Sequence, residues 1–101
     1  MKLVLRKRVE VRIDRPLMRR VREVAIGVGI DDLDFLTTMG GVRNNEFWSD
    51  DQVTGGAGSV IILVAITDDK RAEHFVQALK PLWDAYSLKI TVTDTNIAEP
   101  A

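Results

Sequence analysis

The chain has 101 residues, enough for one domain's core but not two, and 46% hydrophobic with 29% charged residues is the make-up of a chain that folds. The absence of cysteine removes disulfides, thiolate metal sites and cysteine nucleophiles, and no apolar run approaches the roughly 20 residues that cross a bilayer. The net charge of −1 hides an asymmetry, because residues 1–22 carry nine basic against two acidic side chains and the remainder is −8.

The first segment reads as a strand. Leu3, Leu5, Val9, Val11 and Ile13 alternate with Val4, Arg6, Arg8, Glu10 and Arg12, so one face is apolar and the other charged. Asp14-Arg15-Pro16 then predicts a helix start, with Asp14 as cap and proline in the first turn. Leu17, Val21, Val24 and Val28 form its apolar stripe, with Ala25 beside it, and Gly27 and Gly29 end it. A second strand is predicted from Leu33 to Met39. The segment from Gly40 to Ser59 holds five of the seven glycines and shows neither strand nor helix period. It is expected to be a long loop, mobile over 40–58, hinged at Gly40-Gly41 and at Gly55-Gly56-Ala57-Gly58. Val60–Ile66 is apolar on both faces, so both should be buried. Thr67-Asp68-Asp69 caps a second helix whose predicted buried stripe is Ala72, Phe75, Val76, Leu79, Trp83 and Tyr86, with Pro81 kinking or ending it near Lys80. Leu88–Thr93 is a last strand, and the polar tail from Asp94 is expected to fray.

The order βαββαβ predicts an α+β fold, a ferredoxin-like sandwich with two helices over a four-stranded antiparallel sheet and a long loop between strands two and three. Residues 1–101 form a single domain on this reading. Two helices cover one sheet face, so the far face calls for another copy of the chain.

Candidate chemistry is sparse. His74 is the lone histidine and has no ligand partner at helical spacing, so no metal site is expected. Asp31-Asp32 closes a turn, Asp68-Asp69 caps a helix, and Asp50-Asp51 lies in the long loop, where it is either solvated or beside a magnesium-bound phosphate. No general base or nucleophile has a recognisable partner, so no catalytic residue is assigned. Gly40-Gly41-Val42-Arg43 is either a simple turn or a phosphate nest of backbone amides beside an arginine. Phe47 and Trp48 are either buried under the loop or offered to a partner protein or an adenine ring. The lack of aromatics on the central strands counts against an RNA platform.

These features together resemble the PII signal-transduction superfamily. The resemblance rests on the element order and on Val11-Arg12-Ile13-Asp14-Arg15-Pro16-Leu17, Gly27-Val28-Gly29-Ile30-Asp31-Asp32 and Thr37-Thr38-Met39-Gly40-Gly41-Val42-Arg43-Asn44, over residues 3–95. It implies a non-enzymatic homotrimer that binds adenine nucleotides between subunits and touches a target protein through its long loop. It assigns Gly40, Gly41 and Arg43 to the nucleotide phosphates, nominates Asp31 and Asp32 in the same cleft, and makes Phe47 and Trp48 partner contacts. Further anion-contact candidates are Arg12, Arg19 and Lys89. The family's Thr-Gly-x-x-Gly-Asp-Gly-Lys loop is missing: only Trp83–Lys89 stands there, and the one tyrosine is Tyr86. That departure is similar to the PII-like proteins of bicarbonate transport and carboxysomes. It implies AMP or ADP rather than ATP, with bicarbonate as a further ligand and a bicarbonate transporter or carboxysome-related protein as target. A cytoplasmic location without membrane insertion follows from the same resemblance and from charges that interrupt any leader-like start. Two rivals are a ligand-free or metal-response trimeric module of the same fold, and a nucleic-acid-binding module using the basic first segment.

Overall fold

The computed structural model describes residues 1–49 and 60–100. Strand β1 (Lys2–Asp14) pairs antiparallel with β5 (Val60–Thr67) on one side and with β6 (Lys89–Glu99) on the other. Strand β2 (Leu33–Thr37) adds to the outer edge of β5, giving the order β2-β5-β1-β6. The ferredoxin-like sandwich is thus present, with β1 and β5 central. Among the described residues no helix is long and apolar enough to cross a membrane.

The register explains which side chains meet. Val9 faces Ala65, Val11 faces Leu63 and Ile13 faces Ile61, all buried on the helix side of the sheet. Onto them pack Val21 and Ala25 of α1 (Met18–Gly27), Ala72 and Phe75 of α2 (Asp69–Ala78), and Leu79. The opposite face is uneven. Ile62, Val64 and Ile66 are half-buried there, flanked by Arg8, Glu10 and Arg12 of β1.

Helix α1 starts later than the sequence suggests. The ladder with Val60 holds Asp14 extended, its side chain makes no capping bond, and a 3-10 turn over Arg15–Leu17 precedes the helix. Its C-terminus lies at the two glycines that the sequence marks, with Gly27 its last residue and Gly29 the closing one. Gly29 donates to Ile26 and Ile30 to Ala25, both at 3.0 Å, and Gly29 has φ +89°. That paired closure requires a left-handed residue and seats Ile30 in the core.

Three further expectations are corrected. The segment after β2 is not irregular throughout: β3 (Gly40–Arg43) and β4 (Glu46–Ser49) form a hairpin, and β2 ends at Thr37 rather than Met39. Asn44 and Asn45, at φ 54° and 65°, form the two-residue turn whose twist matches the strands. The last strand does not fray at Asp94 but runs to Glu99. Its polar tail is held by opposite-charge register pairs, Lys7 with Asp94 and Lys2 with Glu99, and Lys7 makes an ion pair to Asp94. Trp83 and Tyr86 are 44% and 43% exposed. Helix α2 ends at Ala78, and α3 (Lys80–Ala85) restarts with Pro81 in its first turn, which re-phases the stripe so that Leu82 is the buried residue. The expected hinge at Gly55–Gly58, the Asp50-Asp51 pair and the rest of 50–59 lie outside the described residues.

Candidate functional site

Charge gathers at the end of β1 where it passes into the 3-10 turn. A cavity of about 340 Å³ there is lined by Arg12, Asp14, Arg43, Asn44, Tyr86 and Ser87, among others. Strand β1 supplies Arg12 on the sheet's far face, the tight Asn44-Asn45 turn brings Arg43, and the end of α3 brings Tyr86. Arg12 also lines a smaller cavity of about 200 Å³ with Glu10, Ile62, Lys89 and Thr91. The antiparallel register sets Arg12 directly across from Lys89. Like charges in that position repel, and the Arg12 Nε is buried without a hydrogen-bond partner among the described residues. The neighbouring carboxylate of Glu10 accepts from Arg8 at 3.3 Å and from the Thr91 hydroxyl at 3.4 Å, so its charge is shared elsewhere. An anion seated against Arg12 would answer both the repulsion and the unmet donor.

Of the sequence-nominated residues, the structure groups Arg12 with Arg43 and Arg12 with Lys89. Arg19 stands apart on the exposed side of α1, ion-paired with Glu23 at 3.1 Å. Asp31 and Asp32 line a different cavity of about 380 Å³ with Arg6, Asp68, Arg71 and Glu99. Arg6 and Arg12 are six residues apart on one strand, so the two cavities are about 20 Å apart along β1. In that second cavity Asp68 caps α2: its carboxylate accepts from the Arg71 amide at 2.8 Å and from the Arg71 guanidinium. The amide bond first, then the guanidinium, holds the Asp68 carboxyl below its ordinary value. The Asp32 carbonyl accepts from Ile66 N at 3.2 Å, which fixes the turn to β5.

The glycines of β3 are constrained by β4. A Cβ on Gly40 would lie 2.6 Å from the Trp48 carbonyl oxygen, and one on Gly41 would meet the Trp48 indole at 3.1 Å. In a hairpin closed by a two-residue turn the bonded pairs alternate from Arg43–Glu46, which puts the Gly41 amide in the ladder with Trp48 and that of Gly40 outside it. A phosphate nest using both amides is therefore not what this hairpin offers. The aromatic pair is also divided: Trp48 lies over Gly41 with its Nε1 buried and without a hydrogen-bond partner among the described residues, whereas Phe47 is 68% exposed beside the exposed Val42. Sequence reasoning missed Asp14, Asn44 and Tyr86 as cavity residues. The Asn44-Asn45 dipeptide was the available signal for the turn; nothing local in the sequence marks the other two. Among the described residues no group of three His, Cys, Asp or Glu side chains could hold a metal ion.

No protein-family model matches the chain, and no curated protein matches by sequence. Solved structures do match by fold. A nitrogen regulatory PII-like protein from Thiomonas intermedia, bound to ADP, AMP and bicarbonate, superposes with a TM-score of 0.86 at 14% identity, covering 98% of this chain and 93% of its own. A protein from Thermus thermophilus named as PII-like signalling gives 0.80 at 21% identity, covering 96% and 93%. The Bacillus subtilis GlnK–ATP complex gives 0.63 at 12% identity, covering 90% and 82%. With the strand order and the hairpin between β2 and β5, these likenesses establish the fold of this chain as that of the PII-like proteins.

Proposed function

We propose that the chain is a non-enzymatic PII-like regulatory protein that binds an adenine nucleotide, AMP or ADP in preference to ATP, with bicarbonate as a second anion. Its target is a partner protein, contacted through the hairpin that carries Phe47 and Trp48. The observation that carries this reading is the basic corner at Arg12, which shares one cavity with Arg43 and a second with Lys89, and whose buried Nε has no hydrogen-bond partner among the described residues. Two guanidinium groups suit phosphate oxygens, which they can grip with paired donors. Only Tyr86–Leu88 separate α3 from β6, with no glycine-rich turn to follow a triphosphate, which supports the shorter nucleotides.

The 20 Å between the Arg43 cavity and the Asp31–Asp32 cavity also supports an oligomer. One ligand reaches both only if the Asp31 end of one copy meets the Arg43 end of the next. Such head-to-tail contacts form a ring when the rotation closes; the count of three, a homotrimer, is taken from the resemblance to the PII superfamily. The half-buried Ile62, Val64 and Ile66 supply the apolar surface for it.

Calorimetry with AMP, ADP, ATP and cyclic AMP, with and without bicarbonate, tests the reading. AMP or ADP should bind at least as tightly as ATP. Arg43→Ala should weaken that binding about ten- to hundredfold, the loss expected for a charged hydrogen bond of about 1.5–3 kcal/mol. Absence of any nucleotide binding below millimolar concentration would refute it.

A further inference from the structure

We infer that Tyr86 is the wall on which the base of the bound nucleotide stacks, and that Arg20 is the positioning residue for its ring. The inference rests on the nucleotide reading above and assigns the part of the ligand that the arginines do not address. Tyr86 terminates α3, yet it is 43% exposed and lines the same cavity as Arg12 and Arg43. Its backbone is held on both sides: its amide donates to Leu82 at 2.8 Å, and its carbonyl accepts from Leu88 N at 2.7 Å. Leu82 and Leu88 are both buried, so the anchors themselves are fixed in the core.

The ring is fixed as well. An Arg20 guanidinium nitrogen donates to the Tyr86 hydroxyl at 3.3 Å, and the guanidinium carbon lies 5.7 Å from the ring centroid. Arg20 does not line the Arg12–Arg43 cavity but a separate surface groove beside Pro81 and Leu82. It therefore steadies the aromatic ring from outside the cavity. The cavity then offers an oriented aromatic surface and a pair of guanidinium groups, the complement of a flat ring tied to an anionic tail. Asp14, in the same cavity, would repel a bare anion but can accept a hydrogen bond from a sugar hydroxyl. Inorganic phosphate meets only part of this chemistry; a nucleoside monophosphate meets all of it.

The test compares AMP with ribose 5-phosphate, which keeps the sugar and phosphate and lacks the base. In the wild-type protein AMP should bind more tightly than ribose 5-phosphate. Tyr86→Leu should weaken AMP about tenfold or more while leaving ribose 5-phosphate within twofold, since base–aromatic stacking carries that much. Tyr86→Phe keeps the ring and should retain AMP affinity within about threefold, and Arg20→Met, which removes the hydroxyl's donor, should fall between the two. If wild-type protein binds neither ligand, the nucleotide reading fails and this inference with it. If AMP binds and Tyr86→Leu leaves the ratio of the two affinities unchanged, the nucleotide reading stands and the stacking role is overturned.

Discussion

Removing the Lys89 charge should stabilise the ligand-free protein and destabilise the ligand-bound one. In the register Lys89 stands across β1–β6 from Arg12, and Glu10, which lines the same small cavity as both, is engaged by Arg8 and Thr91. Two cationic groups about 6 Å apart in an aqueous dielectric repel by about 0.7 kcal/mol, within the range of about 0.2–1 kcal/mol for cross-strand pairs. Lys89→Gln should therefore raise the thermal midpoint by about 3–5 °C at low ionic strength, since about 1 kcal/mol moves a chain of this size by about 4–8 °C. The gain should vanish near 1 M salt, where the screening length is about 3 Å. Saturating nucleotide reverses the order. At a hundred times the dissociation constant the wild type gains about 2.7 kcal/mol; a variant binding tenfold more weakly gains about 1.4 kcal/mol, and the difference exceeds the repulsion removed. Thermal melts at one fixed protomer concentration, with and without AMP or ADP and at two salt concentrations, read all four cases. A variant that melts lower than wild type at low salt without ligand, or that keeps its advantage when the nucleotide is saturating, would refute the argument.

Three other variants probe the packing and capping described above. Gly40→Ala should speed amide exchange through Gly41–Trp48 without lowering the global melting midpoint, because its Cβ would press on the Trp48 carbonyl in a hairpin separate from the main sheet, whereas Gly27→Ala, with nothing within 4 Å, should raise stability by about 0.5 kcal/mol; unchanged exchange in the first variant would contradict the packing. Asp68 has a folded pKa below its ordinary 3.8, so its contribution is full above that value and fades as pH falls through the lower folded one. Asp68→Asn should lower the urea midpoint near neutral pH and converge with wild type as the pH falls through the lowered folded value, and a constant gap between the two would contradict the linkage.

Elements that carry their own period were legible without the structure. β1 and both helix stripes repeat at two or near 3.6 residues and β5 is a continuous apolar run, and the core residues they predict include Val9, Val11, Ile13, Val21, Leu63 and Phe75. The hairpin was not, because each strand is four residues long and β3 opens with two glycines; only its Asn44-Asn45 turn left a local mark. The far half of β6 is mostly polar and lacks a clear apolar alternation, so its pairing shows only once Lys2 and Lys7 are set across from Glu99 and Asp94. Tyr86 was misplaced because a proline announces a break and not the phase in which the next turn resumes. The site divided along the same line. Arg43 could be nominated from its own short motif, but the opposition of Arg12 and Lys89 is a property of register, as is the distance that separates Asp31 from Arg43. Proximity in the chain could not supply either.

The pairing of β1 with β6 also governs when the protein can assemble itself. The Lys7–Asp94 contact joins positions 87 residues apart, and it sits in the most extensive strand pairing of the sheet. During synthesis β1, α1, β2 and β5 emerge first and can form a three-stranded nucleus, with one flank of β1 still lacking its neighbour. That flank is open to any passing strand until β6 arrives, which makes the interval before β6 the one in which a growing chain is most prone to aggregate. Contacts of such long range also slow the search for the native pairing. The strand that sets Lys89 across from Arg12 is therefore also the strand that arrives last, and no partial product that stops short of it can form that basic corner.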